Sequence, residues 1–300
     1  GGKRGGWAGL GVAHGPGGPA PGGPGATGRW VGLLRPVEQR GGGVVASLGL
    51  VAMPSAKDSF PESLNEVLWR MEEHDDRHGH RVMFTYGSAE GAVLTKEFLP
   101  RPGTRIIDFT LGLKNDSAAG VEGVRQFRLT PAACVAADGE SRFYPEPQAA
   151  TCWLEADGEL EVESEDMRED PKPDDLGGAF ISQGELVFAG VHNKFFACLL
   201  HPTQNSVASI VGAGWRRIGE LDTSDVQARV AKTIYPYMVT DIDHALHLGV
   251  VGDEWFCTSE LYAEPKGRDK FIEASPDLKA LSLDGLSFFQ GVAQVILAIL

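Results

Sequence analysis

The chain has 300 residues, 42% of them hydrophobic, with a formal net charge of −14 and a pI near 5.0. That length accommodates one large all-β domain or two average domains, and the apolar fraction suffices for a sizeable core. The acidity excludes a nucleic-acid binder, which needs a basic face against phosphate, and a body drawn by charge onto anionic lipid.

Residues 1–43 hold 17 glycines, with prolines between them. A stretch such as GPGGPAPGGPGATG buries too little surface to offset chain entropy, so residues 1–45 are expected to be a flexible linker. Neither G-x-x-x-x-G-K-[ST] nor a strand-borne G-x-G-x-x-G occurs, which removes the phosphate-loop reading. The sequence opens on Gly1 without the charged and apolar regions of a signal peptide. No uninterrupted apolar stretch reaches the ~18–20 residues of a bilayer span. Both ends are expected to be cuts in a longer reading frame.

A single globular domain is expected over 46–276. Its first polar cluster is EHDDRHGH (73–80), which gathers His74, Asp75, Asp76, His78 and His80. Such density suits a divalent ion, but the cluster sits where a solvated turn is expected, and the turn is preferred. RVMFTYG (81–87) and GAVLTKEFL (91–99) flank a short Ser-Ala-Glu turn and predict a hairpin. In TRIIDFTLGLKN (104–115), Ile107, Phe109, Leu111 and Leu113 fall on one face and Asp108 and Thr110 on the other. VEGVRQFRL (121–129) predicts the next strand.

The acidic run ELEVESEDMREDPKPDDL (159–176) lacks the glycine and ligand spacing of a calcium loop. It predicts a strand with one charged face, then a solvated loop. ELVFAGV (185–191), FFACLLHP (195–202), SVASIVGA (206–213), RVAKTIYPYMV (229–239), HALHLGVV (244–251) and WFCTSELYA (255–263) complete about ten short strands. No β–α alternation or repeat is present, so a large antiparallel sandwich is predicted.

Cys134, Cys152, Cys198 and Cys257 form no C-x-x-C pair, which removes a zinc ribbon or thioredoxin motif. Free buried thiols are expected; a single bridge such as Cys134–Cys152 is the alternative. His192 and His201 flank FFACLL, where a structural role outweighs that of a general base. No G-x-S-x-G, H-E-x-x-H or kinase set occurs, and no metal or cofactor is expected.

The chain closes on two predicted helices. KGRDKFIEA (266–274) is a short one stopped by Pro276. LDGLSFFQGVAQVILAIL, capped by Asp284, sets Leu286, Phe289, Ala293, Ile296 and Leu300 on one stripe, with Ser287, Gln290, Gly291, Gln294 and Ala298 opposite. It is too short and too polar on one side to span a bilayer, and suits an interface.

Four segments carry a family resemblance. LTKEFLPRPGTRIIDFTLGLKN (94–115), GELVFAGVHNKFFACLLHP (184–202), SELYAEPKGRDKFIEA (259–274) and the terminal helix resemble, in order and spacing, elements of the periplasmic domain of YidC-type membrane protein insertases. Two departures stand out. Glu264 replaces a glycine that usually precedes Pro265-Lys266, and the acidic insert at 155–175 has no counterpart.

The resemblance implies an all-β, galactose mutarotase-like supersandwich on the periplasmic side of the bacterial inner membrane. Its implied partners are nascent membrane proteins, Sec translocon components and the bilayer surface, with no nucleic acid. Residues 277–300 become an interfacial helix leading to a membrane span, with Phe288, Phe289, Val292, Ile296, Leu297 and Leu300 as the membrane-contacting side chains. The insertase groove of this family lies between later membrane helices, so no catalytic residue is expected in this chain. Two alternatives use the same fold. A mutarotase-like epimerase needs His192, His201 or His244 beside a carboxylate. A carbohydrate-binding module needs Trp153, Trp215 or Trp255 as a stacking platform.

Overall fold

A computed structural model describes residues 48–57, 59–76, 79–102, 104, 106–116, 122–132, 148–165, 177–181, 184–192, 196–218 and 237–265. It also pairs β1 (Gly11–Val12) with β2 (Val31–Gly32) and β3 (Val37–Glu38) with β4 (Val44–Val45) in the glycine-rich lead. His78, Cys134 and both predicted C-terminal helices lie outside the described residues.

The body runs β5 (Gly49–Ala52), β6 (Arg70–Asp76), β7 (Gly79–Gly87), β8 (Ala92–Pro100), β9 (Ile106–Asn115), β10 (Gly123–Thr130), β11 (Gln148–Leu154) and β12 (Leu160–Glu165). Then come β13 (Gly177–Phe180), β14 (Glu185–His192), β15 (Phe196–Pro202), a helical turn α1 (Gln204–Val207), β16 (Ile210–Ile218), β17 (Tyr237–Leu248) and β18 (Glu254–Pro265). These strands make two sheets, ordered β12-β11-β14-β15-β18-β9-β8-β7-β6 and β13-β16-β17-β10-β5. Every pairing in both is antiparallel. This is the predicted antiparallel sandwich.

Strict alternation places the core. On β8, Ala92, Leu94, Lys96 and Phe98 point inward; on β9, Phe109, Leu111 and Leu113 do. All but Lys96 form one cluster with Leu50, Phe127, Leu129, Ile242 and Leu246 of the smaller sheet. Each of the leucine, isoleucine and phenylalanine side chains contributes roughly 1.5–3 kcal/mol through burial. The β7–β8 turn closes as predicted, with Gly91 at φ 91° and the Ser88 hydroxyl accepting from the Ala92 amide at 3.0 Å.

Lys96 breaks the apolar pattern. Its ammonium donates to the Leu48 carbonyl at 2.8 Å and sits 4.7 Å from the centre of the Trp69 ring. Burial lowers its pKa to about 7. Leu48 itself holds a left-handed φ of 55°, and its amide donates to Thr130 O at 2.7 Å.

Several sequence expectations need correction. EHDDRHGH is not an exposed turn throughout: β6 reaches Asp76, β7 starts at Gly79, and Asp75 pairs across the hairpin with His80. Among the described residues no group of three or more His, Cys, Asp or Glu could hold a metal. SVASIVGA does not begin as a strand. The Thr203 and Ser206 hydroxyls both donate to the Thr258 carbonyl, which turns the backbone into α1 before β16 begins. The segments predicted separately at 229–239 and 244–251 share one twelve-residue strand, β17. The intervening Asp241 and Asp243 read as a break, yet they point away from the core and take partners there. At Glu264, where the family usually has glycine, the backbone is extended within β18 opposite Ala197. Within the body, strands β5, β6, β11 and β13 are additions to the predicted set. Cys198 and Cys257 are buried free thiols, which burial pushes up to about 12, and Cys152 is buried as well.

Candidate functional site

Two bulges open one end of the sandwich. In β16 the register against β17 shifts between Ile210 and Gly212, leaving Val211 unpaired and 57% exposed. In β14 a second shift against β11 leaves Val187 out of the ladder. Beside both lies a cavity of about 730 Å3. Its walls come from β10, β13, β16 and β17 of the smaller sheet and from β11 and β14 of the larger one.

Two guanidinium–carboxylate pairs line it. Arg128 holds Asp243 in a fork, Nε to Oδ1 at 2.7 Å and Nη2 to Oδ2 at 2.9 Å, and this bonding raises the pKa of Arg128. Arg216 holds Asp241 the same way, with Nη2 to Oδ1 at 2.9 Å, while the Thr130 hydroxyl donates to the same oxygen at 2.6 Å. Asp241 is 4% exposed, so this pair is the more deeply set. The pairing leaves N–H groups and lone pairs facing each other, a surface that suits neutral donors and acceptors.

Glycines set the wall opposite. A Cβ at Gly177 would lie 2.7 Å from the Trp215 carbonyl, and one at Gly178 would lie 2.9 Å from the Trp215 indole nitrogen. Only bare backbone passes that close. At Gly212 an added Cβ meets nothing within 4 Å.

None of the predicted histidines lines this cavity. His192 and His244 are buried, and His201 pairs its Nδ1 with the Val187 carbonyl at 2.5 Å. The Nδ1 of His244 lies 3.1 Å from Ser209 Oγ, and burial lowers its pKa to about 4 against the opposing pull of Asp243. Trp153 and Trp215 do line the cavity, but both are buried. Trp255 is 37% exposed and sits apart, 5.0 Å from the His247 ring. Phe288, Phe289, Val292, Ile296, Leu297 and Leu300 lie outside the described residues.

Sequence reasoning missed Arg128, Arg216, Asp241 and Asp243. The signal present was spacing: Asp241 and Asp243 stand two apart in a strand, as do Arg128 and Thr130, so each pair shares a face.

A family model, the YidC periplasmic domain, matches residues 26–234, more than half of the chain. The chain belongs to that family. As a YidC periplasmic domain it is the periplasmic portion of a membrane protein. Among the described residues no helix is long and apolar enough to cross a membrane. The match includes β5 to β16; β17 and β18 lie beyond it.

No curated protein matches the chain. Among solved structures it is similar to a galactose mutarotase related enzyme from Lactobacillus acidophilus, at 8% identity and a TM-score of 0.44, covering 80% of this chain and 86% of that one. It is also similar to a galactose mutarotase-like protein from Lactobacillus casei, at 9% identity and 0.40, covering 77% and 80%. A TPR-domain containing protein from Parabacteroides distasonis gives 12% and 0.44, covering 79% and 42%. At these scores the likenesses add nothing to what the sheets of this YidC periplasmic domain show directly.

Proposed function

We infer that this domain is the periplasmic body of a membrane-protein insertase of the bacterial inner membrane. The parent protein inserts and folds inner-membrane proteins, alone or beside the Sec translocon, with nascent membrane proteins as its clients. The observation that carries this reading is the family match over 26–234. This part of the protein performs no chemistry. The titratable side chains on the cavity are arginines and carboxylates, not the histidine–carboxylate pair that an epimerase needs. Residues 282–300 lie along the bilayer surface, with Phe288, Phe289, Val292, Ile296, Leu297 and Leu300 in the lipid.

Two experiments test this. Zwitterionic liposomes are floated with the 300-residue chain and with a chain lacking 282–300. The complete chain is expected to float and the shortened one to stay behind; equal flotation removes the membrane contact. In cells depleted of the parent protein, a newly made single-span protein is expected to remain uninserted, read by protease protection. Undiminished insertion overturns the insertase reading.

A further inference from the structure

The two sheets have four edges, and three are guarded. Edge strand β6 carries Arg70, Glu72, Glu73, His74 and Asp75. Edge strand β12 carries Glu161, Glu163 and Glu165. Edge strand β5 is almost wholly buried. Charge and coverage of this kind stop strands from pairing with other chains. Among the described residues the fourth edge, β13, carries no charged side chain of its own and pairs with no further strand, although the Glu163 carboxylate of β12 accepts a hydrogen bond from the Ile181 backbone just past its end. Its sequence is Gly-Gly-Ala-Phe, its first three residues are exposed, and the next residue, Ile181, is 84% exposed. The two glycines are demanded by the close passage over Trp215, so this stretch of backbone has no side chains to screen it.

We propose that the β13 edge binds an extended polypeptide segment by strand addition, with an apolar side chain of that segment entering the adjoining cavity. All five residues from Gly177 to Ile181 line that cavity, so edge and cavity form one surface. Main-chain hydrogen bonds to the edge supply affinity, and the cavity selects alternate side chains. Trp153, Leu186, Val207 and Ile210 give it an apolar lining, and about 730 Å3 holds more than one side chain. The charged groups are three carboxylates, Glu185, Asp241 and Asp243, against two guanidinium groups, Arg128 and Arg216. A neutral or weakly basic segment fits that balance, and an acidic one is repelled. The proposal deepens the insertase reading, since a membrane protein awaiting insertion presents extended, uncharged segments.

The test uses the 300-residue chain and a fluorescent, capped peptide of about eight alternating Thr and Val residues with one terminal Lys. A sibling peptide is N-methylated at alternate residues along one edge. It keeps the side chains and loses the ladder donors. Anisotropy titrations are expected to show binding of the first peptide and at least roughly tenfold weaker binding of the sibling. Gly212→Trp fills open space on the cavity wall without straining the backbone, and is expected to weaken the first peptide by a similar factor. Backbone amide shifts at 177–181 are expected to move on binding. Equal affinity for the two peptides, or no binding up to about 1 mM, overturns the proposal whether or not the Gly212 variant folds. Displacement of the peptide by a neutral sugar such as galactose overturns it in favour of a glycan site. Such failures leave the insertase reading to be judged by flotation and depletion.

Discussion

Replacing Lys96 by Met tests the most costly polar group in the core. Burial holds the ammonium pKa at about 7, against 10.5 for an open side chain. Below pH 7 both the folded and unfolded chains carry the proton, and the folded state bears the full desolvation cost. Between 7 and 10.5 the folded state has released its proton while the unfolded chain still binds one, so stability rises with pH. At 1.36 kcal/mol per unit, the whole window is worth about 5 kcal/mol. That figure is an upper limit, because the Leu48 carbonyl and the Trp69 face both favour the ammonium. The span from pH 7 to 9 should add about 2–3 kcal/mol in the parent chain and nothing from this source in Lys96→Met. Loss of the Leu48 partner costs the variant about 1 kcal/mol, the same at every pH. Urea unfolding at pH 6, 7, 8 and 9 reads the difference. Parallel stability curves for the two chains would refute the reasoning, since the buried lysine would then titrate alike in both states.

Two further perturbations probe the smaller sheet. His244, lowered by burial to about 4 from 6.5, gives a stability that is complete above pH 6.5 and declines as pH falls to 4. The unfolded chain takes up the proton first, and the loss reaches about 3 kcal/mol. His244→Gln is expected to flatten that interval in urea melts, and an unchanged slope sinks the assignment. Asp241→Ala strands Arg216 beside a buried site and should cost about 3–5 kcal/mol. Asp243→Ala breaks the more open pair with Arg128 and should cost about 1 kcal/mol. Thermal melts that rank the two variants the other way would contradict the burial argument.

Much of the larger sheet is legible from alternation. Strands β7, β8, β9, β14, β15 and β18 each show apolar runs or period-two patterns near the predicted spans, because one face of each meets the core and both faces of β14 and β15 are buried. The misses have local causes. In β11 the run Ala149-Ala150-Thr151-Cys152 is built of small residues with no evident periodicity. The glycines of β13 look like loop, although their reason is the Trp215 side chain they pass over. In β17 two aspartates interrupt an apolar run, and only their partners on neighbouring strands make them strand residues. The cavity was illegible for a related reason. Asp243 and Arg128 stand 115 positions apart, and no local pattern announces that they meet.

The placement of β17 and β18 has a consequence for how the domain is made. They are joined by the short turn at 249–253, and each is the central strand of its sheet. Synthesis delivers them after every other described strand. Until they arrive, β16 and β10 have no shared neighbour, nor have β15 and β9, so the two sheets exist only as four separate strips. A nascent chain threaded outward from its N-terminus therefore holds four bare inner borders at once. Neither sheet can close as the chain emerges. Assembly waits for a single late hairpin that acts as a keystone, and throughout that delay the unfinished strips are exposed to whatever chaperones and proteases patrol the exit side.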